Sequence, residues 1–234
     1  MVPKMFDYRL RFSKEKKLKY LSHLELMRTI ERAFRRSKIP LAFSEGFHPH
    51  PKLSFGPALA VGVSSNDEYL DFSLTQYYEP GDIKELLNKA LPVDIRILAI
   101  VEIKHHVKPL NAVINRAAYS VLLKIDPEDQ QKINNWLNGL LELSEFIIER
   151  RTKGDQKLVN IRPWLHNLTT EMIAQDILEL RFTGEIGSGG HLRPEDITAN
   201  IPQPAEILNI ARIGLWHEEN GFITKPLDFV KAGG

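Results

Sequence analysis

Segments with the two-residue period of a β-strand alternate with segments of helical period along this chain, and this order restricts the fold more than any other feature. In the first half, strand patterns occur at 5–13, 68–74 and 95–103, and helical patterns at 23–39 and 81–90. A further strand within 53–63 would complete the order β-α-β-β-α-β.

The second half roughly repeats this alternation. Strand patterns lie at 118–125, 145–150, 173–182 and 207–216, helical patterns at 127–141 and 194–199, an insertion at 152–170 and a last hairpin arm at 222–230. We therefore expect an α+β protein of two tandem ferredoxin-like (βαββαβ) domains with a C-terminal hairpin. The polar segment HHVKPLN places the boundary between domains 1–108 and 109–234.

Composition excludes several classes of protein. Hydrophobic residues make up 43% of the chain and charged residues 26%, which is typical of a globular protein. The chain has no cysteine, which excludes disulfides, cysteine-ligated zinc and a cysteine-held iron–sulfur cluster. It also lacks a long apolar run and a signal peptide pattern. We expect a cytoplasmic protein with no cofactor of its own and no membrane partner.

Positive charge is concentrated at the N-terminus. Residues 1–40 contain twelve Lys or Arg and four Asp or Glu, a net charge of +8 in a chain whose total is +1. The remaining residues therefore carry −7. Local charge of this size attracts polyanions, of which nucleic acid is the commonest in a cytoplasm.

Much of this charge belongs to one predicted helix. Ser22 and Glu25 form the S-x-x-E pattern of a capping box, and Pro40 ends the helix. Its arginines fall on the side opposite its apolar residues: Arg28, Arg32, Arg35 and Arg36. Three lysines precede the helix: Lys16, Lys17 and Lys19. We interpret this surface as a phosphate-binding face. The alternatives are a solvated surface or a docking face for acidic protein.

The loop at 44–52 is a second candidate site. Phe47 is suited to stack on a base, while His50 and Lys52 can donate hydrogen bonds to phosphate. His48 and His50 do not predict a metal site, because the intervening prolines favour polyproline II, in which neighbours two apart point in different directions. The alternative is a structural loop whose histidines are incidental.

A glycine-rich segment is a third candidate. Gly187, Gly189 and Gly190 lead to Arg193 and to Pro194 at a helix start, where exposed N–H groups can bind phosphate. The segment matches neither the P-loop nor the dinucleotide-binding fingerprint. The alternative is a flexible connector.

Two further sets of residues are interpreted as structural. His105 and His106 are adjacent in an extended segment, so they face opposite sides. Glu68 and Asp71 are separated by an odd spacing on one strand, which does not predict a paired-carboxylate site.

A group of short motifs resembles a known bacterial family. The motifs are Leu21-Ser22-His23-Leu24, Arg28, Arg32-Ala33-Phe34-Arg35-Arg36, Gly46-Phe47-His48-Pro49-His50-Pro51, Gly62, Glu68 with Asp71, Asn160-Ile161-Arg162-Pro163, Gly187-Ser188-Gly189-Gly190 and Arg193-Pro194. Across most of its length, the chain resembles the radical-SAM-associated proteins, a family of unknown function encoded beside, or fused to, a radical SAM protein. The resemblance implies a radical SAM partner but supplies no activity. Since this chain lacks the cysteines for the [4Fe–4S] cluster, it would be the accessory member.

Three functional hypotheses follow. The first is an accessory subunit that binds or presents tRNA or rRNA to a radical SAM enzyme, without activity by itself. The second is a protein-only adaptor for that partner. The third is a metal-independent endoribonuclease with His48 or His50 as general acid or base.

Overall fold

The structure is a computed structural model that describes residues 4–152 and 155–231. The chain divides into two compact units, Met1–Ile114 with Leu215–Gly234, and Asn115–Gly214. This division differs from the predicted domains 1–108 and 109–234, because the C-terminal segment belongs to the first unit. The difference rests on contacts between residues that are distant in sequence, such as the hydrogen bond from Arg9 Nη1 to the carbonyl oxygen of Pro226 at 2.9 Å.

The first unit follows the predicted order of elements. These are β1 Phe6–Lys14, α1 His23–Ser37, β2 Leu53–Phe55, β3 Ser64–Leu74, α2 Pro80–Ala90, β4 Ile95–Ile103 and α3 Leu110–Val113. The sheet has the order β4-β1-β3, β2 also pairs with β3, and these three pairings are antiparallel. β3 begins at Ser64, before the predicted strand at 68–74, and Ser65 and Asp67 of this additional segment are buried.

Alternation along β1 gives this sheet two different faces. Tyr8, Leu10 and Phe12 belong to a buried apolar cluster that includes residues of both α1 and α2. Asp7 and Arg9 therefore lie on the face away from these helices. The register pairs Arg9 with Asp71 of β3, so the two charged side chains share that second face.

The second unit contains a run of paired strands and a separate hairpin. Its elements are β5 Arg116–Ile125, α4 Gln130–Glu142, β6 Ile147–Thr152, β7 Asp155–Asn160, β8 Leu165–Ala174, β9 Ile177–Glu185, α5 Pro194–Thr198 and β10 Ala205–Glu219. The strand order is β10-β5-β9-β8, and β6 pairs with β7. The last residues of β10 belong to the first unit.

Three predictions for the second half are corrected. The proposed strand at 173–182 spans the turn between β8 and β9, and the proposed insertion at 152–170 contains β7 and the start of β8. β8 has mostly exposed polar side chains, which hide its strand period. The hairpin arm at 222–230 is only β11, Phe222–Thr224, because Pro226 then begins α6, Pro226–Lys231.

The fold is thus mixed α+β with mostly antiparallel strand pairing. Among the helices of residues 4–152 and 155–231, none is long and apolar enough to cross a membrane.

Candidate functional site

Helix α1 presents its arginines to solvent, as the sequence predicts. Arg28, Arg32, Arg35 and Arg36 are exposed, and the opposite side of the helix is buried through Leu26, Ile30, Ala33 and Phe34. We call these four arginines the basic face. Its position follows from the helical period, because the apolar side fixes the rotation of α1 on the sheet.

The members of the basic face differ in how they are paired. Arg35 Nη2 lies 3.2 Å from Glu31 Oε1, and Arg36 Nη2 donates to the carbonyl oxygen of Ala90 at 2.6 Å. Within the described residues, neither Arg28 nor Arg32 has an ion pair. Arg36 therefore covers the end of α2, while Arg28 and Arg32 retain free guanidinium donors.

The start of α1 has the predicted capping box. Ser22 Oγ accepts a hydrogen bond from the Glu25 N–H, and the Ser22 N–H donates to Glu25 Oε2 at 2.8 Å. The Ser22 hydroxyl also donates to this oxygen at 2.7 Å. These bonds stabilise the ionised form and hold the pKa of Glu25 below its usual value. The Glu25 carboxylate therefore stabilises the start of the helix through its hydrogen bonds with Ser22.

The three preceding lysines lie in the 3-10 turn Lys16–Tyr20. Lys16 Nζ is 3.9 Å from Asp94 Oδ1, and Lys19 Nζ lies over the Tyr20 ring at 5.4 Å from its centroid. Lys17 is exposed. The turn leads directly into the capped end of α1, so these lysines extend the positive charge beyond the basic face.

The loop at 44–52 is folded back on itself. The Ser44 N–H donates to the His50 carbonyl at 2.8 Å, and the His50 N–H donates to Ser44 Oγ at 3.0 Å. This closure leaves Phe47 fully exposed at the tip, with Gly46 at φ 121°. Phe47 is therefore accessible, and its stacking on a base stays a prediction.

His50 and Lys52 are not on the same side of the sheet as the basic face. The Ser73 N–H donates to the Lys52 carbonyl at 3.2 Å, which places Lys52 beside Ser73. Ser73 Oγ donates to Asp7 Oδ1 at 2.5 Å on the face away from α1. The sequence predicts the basic face and the loop as two candidate sites. The structure places them on opposite faces of the sheet, because the pairing of β2 with β3 sets Lys52 beside Ser73.

His50 and Lys52 line a cleft of about 390 Å³ on that second face. Sequence analysis missed its other chemically active residues: Asp7, Asp71, His105 and His106. The pair of histidines was interpreted as structural, and no local pattern indicates that β4 delivers them to a cleft beside β2 and β3. We call this site the polar cleft.

Asp71, which lines the polar cleft, forms an ion pair with Arg9 of β1 beneath it. Arg9 is fully buried, and its Nε and Nη2 donate to the two carboxylate oxygens of Asp71 at 2.7 and 2.8 Å. The carbonyl oxygens of Pro226 and Lys108 accept further hydrogen bonds from Arg9. Burial raises the pKa of Asp71, while Arg9 acts in the opposite direction.

His105 adds an unsatisfied atom to the wall of the polar cleft. Its Nε2 is buried and has no hydrogen-bond partner in the part of the chain that the structure describes. Most buried polar atoms in proteins are hydrogen-bonded, so this nitrogen is a donor or acceptor that the protein itself leaves unused. Over the same residues, no group of three or more His, Asp or Glu is arranged to hold a metal ion.

The glycine-rich segment packs closely within the second unit. Gly187 has φ 113°, and a Cβ on Gly190 would lie 2.2 Å from Trp164 Nε1. The Arg150 guanidinium lies 5.0 Å from the Trp164 ring centroid and also pairs with Asp196. At least Gly187 and Gly190 are thus required by backbone conformation and packing.

Arg193 lies at the end of this segment and is exposed. Its N–H donates to Asp196 Oδ2 at 2.7 Å, so the carboxylate occupies a donor at the start of α5. Phosphate binding by this segment stays a prediction.

Comparison with known families places the chain. A family model described as "Uncharacterized protein conserved in bacteria (DUF2344)" matches residues 7–194. The chain belongs to this family. The matched DUF2344 region includes the basic face, the polar cleft and the glycine-rich segment, while comparison with curated proteins gives no match.

Solved structures provide fold comparisons for this DUF2344 protein. It is similar to a chain of a Cbf5-Nop10-Gar1 complex, at 14% identity and a TM-score of 0.50, over 96% of this chain and 54% of that chain. It is also similar to a chain of the archaeal box H/ACA sRNP Nop10-Cbf5 complex, at 14% identity and a TM-score of 0.41, over 88% of this chain and 46% of that chain. A third is the acetolactate synthase small subunit from Thermotoga maritima, at 14% identity and a TM-score of 0.25, over 93% and 99%.

The protein thus spans about half the length of the first two chains. At this identity, the likeness to the Cbf5-Nop10-Gar1 complex concerns the fold alone.

Proposed function

We propose that this protein is an RNA-binding accessory subunit that holds tRNA or rRNA on the basic face and presents it to a radical SAM enzyme. The proposal is carried by the exposed guanidinium groups of Arg28 and Arg32, which form no ion pair with any residue of 4–152 and 155–231. They lie on a helix whose other side is buried, so the protein holds them ready to bind.

The chemistry of the basic face favours phosphate. Arginine donates two parallel hydrogen bonds to phosphate oxygens and also stacks on bases, whereas lysine acts as a point charge. Arg28, Arg32 and Arg35 recur at intervals of four and three residues and span about 10 Å of helix. Such a row fits successive phosphates of a nucleic acid strand better than it fits a single small anion.

The fold comparison concerns architecture alone, and the likeness to a chain of the Cbf5-Nop10-Gar1 complex covers nearly the whole of this chain. We also propose that both units are ferredoxin-like, which the order β-α-β-β-α-β supports if the β6–β7 hairpin is taken as an insertion. On this interpretation the protein consists of two tandem ferredoxin-like units.

The radical SAM partner rests on the sequence resemblance and on the absence of cysteine. Copurification of the protein with a radical SAM protein of the same organism tests this part. We expect the complex to survive nuclease treatment. Copurification that persists while RNA fails to bind would instead support the protein-only adaptor.

Fluorescence anisotropy of a labelled tRNA pool over a salt series tests RNA binding. We expect the logarithm of affinity to fall with the logarithm of salt concentration, with a slope near −0.7 for each single-strand phosphate contacted. Arg32→Glu/Arg35→Glu should abolish binding. Lys84→Glu/Lys89→Glu is the matched control, because it makes the same charge change on exposed positions of α2. Equal loss in both variants would contradict a specific role of the basic face.

A further inference from the structure

The polar cleft lies on the sheet face opposite the basic face and has its own chemistry. Segments that are far apart in sequence meet there: the start of β1, the loop before β2, the end of β3 and the segment after β4. Its volume of about 390 Å³ falls in the range of pockets that hold one small molecule.

The Arg9–Asp71 ion pair is buried at a cost in desolvation free energy. Placing a guanidinium at 0% exposure costs desolvation free energy that ion pairing offsets only in part, so such a pair is weak evidence of a role in stability. Asp71 is fixed in position by two hydrogen bonds, yet its side chain keeps 18% exposure. It therefore presents a rigid hydrogen-bond acceptor to the cleft.

The cleft walls supply donors and apolar surface. Lys52 Nζ contacts Met5 Sδ at 3.3 Å, and a thioether is a weak acceptor, so the ammonium retains donors for an anion. His50 is exposed beside it. Pro51, Ile103 and Val107 add apolar surface against which a planar ring can pack.

We infer that the polar cleft binds a single nucleotide, whose phosphate contacts Lys52 and His50 and whose base donates hydrogen bonds to Asp71. An ionised carboxylate only accepts hydrogen bonds, so Asp71 selects a base edge rich in N–H donors. Guanine offers adjacent N–H and NH₂ donors, whereas uracil has carbonyl acceptors on both sides of its single N–H. The site therefore prefers guanine to uracil. This inference stands independently of RNA binding by the basic face.

Isothermal titration calorimetry of the full chain with GMP, UMP, guanosine and inorganic phosphate tests the inference. We expect GMP to bind more tightly than the other three, and Lys52→Ala to weaken GMP binding about tenfold or more. His50→Ala should also weaken it. Lys84→Ala is the control, because it removes an exposed lysine of α2 on the other face of the sheet, and it should bind GMP like the wild type.

Several results would overturn the nucleotide site. No GMP binding at millimolar concentration would do so, as would equal affinity for GMP and phosphate, or unchanged GMP affinity in Lys52→Ala. Asp71→Asn leaves Arg9 without its charged partner and can unfold the protein, so the Lys52 and His50 variants decide the question. The Arg32→Glu/Arg35→Glu variant should bind GMP normally, and Lys52→Ala should bind tRNA normally, so failure of either site is recognised separately.

Discussion

Gly190 shows, at the scale of a single residue, how packing constrains the glycine-rich segment. A Cβ there would lie within 2.7 Å of three atoms of the Trp164 ring. We expect Gly190→Ala to lower the free energy of unfolding by about 3 kcal/mol, because the indole would have to move in a packed site. Gly189→Ala is the control, since a Cβ there would lie 3.9 Å from Glu185 Oε2, an ordinary van der Waals distance. Urea unfolding of both variants measures the difference, and equal stability would contradict the packing role.

His191, the next residue, carries a pH-dependent contribution to stability. Burial lowers the pKa of its imidazole, and the charges of Arg193 and Arg150 lower it further. The folded protein therefore keeps His191 neutral at a pH where the unfolded chain, with a pKa near 6.5, takes up a proton. This stability is present above about pH 6.5 and is lost as the pH falls.

The test is the loss of unfolding free energy between about pH 7.5 and pH 5.5. His191→Gln removes the titrating group, so the loss should be smaller in this variant than in the wild type. Identical pH dependence of the two proteins would show that His191 does not contribute.

At the scale of elements, α1 was the most predictable part of the chain, because its start is encoded locally. Ser22 and Glu25 are three residues apart, and the side chain of each accepts a hydrogen bond from the backbone N–H of the other. We expect Ser22→Ala to lower the free energy of unfolding by about 1 kcal/mol, and amide hydrogen exchange to rise in the first turn of α1. Ser37→Ala, at the other end of the helix, is the control for that exchange. Protection unchanged in the first turn would contradict the capping role.

β8 shows why other elements escaped prediction. It borders its sheet and exposes Asn167, Thr169 and Glu171 on one side, while the other side includes the polar, half-buried Thr170. A strand of this kind lacks the alternation of apolar and polar residues on which sequence analysis depends. Its pairing with β9 therefore depends on contacts with that neighbouring strand and not on an apolar pattern within β8.

At the scale of the whole molecule, the two candidate sites differ in how far sequence predicts them. The basic face follows from one continuous helix, so its four arginines were identified by spacing alone. The polar cleft depends on the register of Asp71 against Arg9, and on β4 ending where His105 joins them. Those are long-range pairings, and no local pattern records which side chains they bring to one face.

The same long-range pairing predicts that the first unit does not fold from residues 1–114 alone. The C-terminal segment supplies the Pro226 carbonyl to buried Arg9 and the Leu215 N–H to buried Asp67, at 2.9 and 2.8 Å. Removing it would leave these charged groups short of partners, which is strongly destabilising. We expect circular dichroism and NMR of the 1–114 fragment to show no cooperative folded state.

Joining 1–114 to 215–234 through a short linker should restore folding. The two segments meet where His217 Nδ1 lies 2.6 Å from the carbonyl oxygen of Val113, so a few glycine and serine residues can connect Ile114 to Leu215. This joined chain should unfold cooperatively. If the 1–114 fragment folds as well as the joined chain, the C-terminal segment is dispensable and the first unit is continuous, as the sequence alone had predicted.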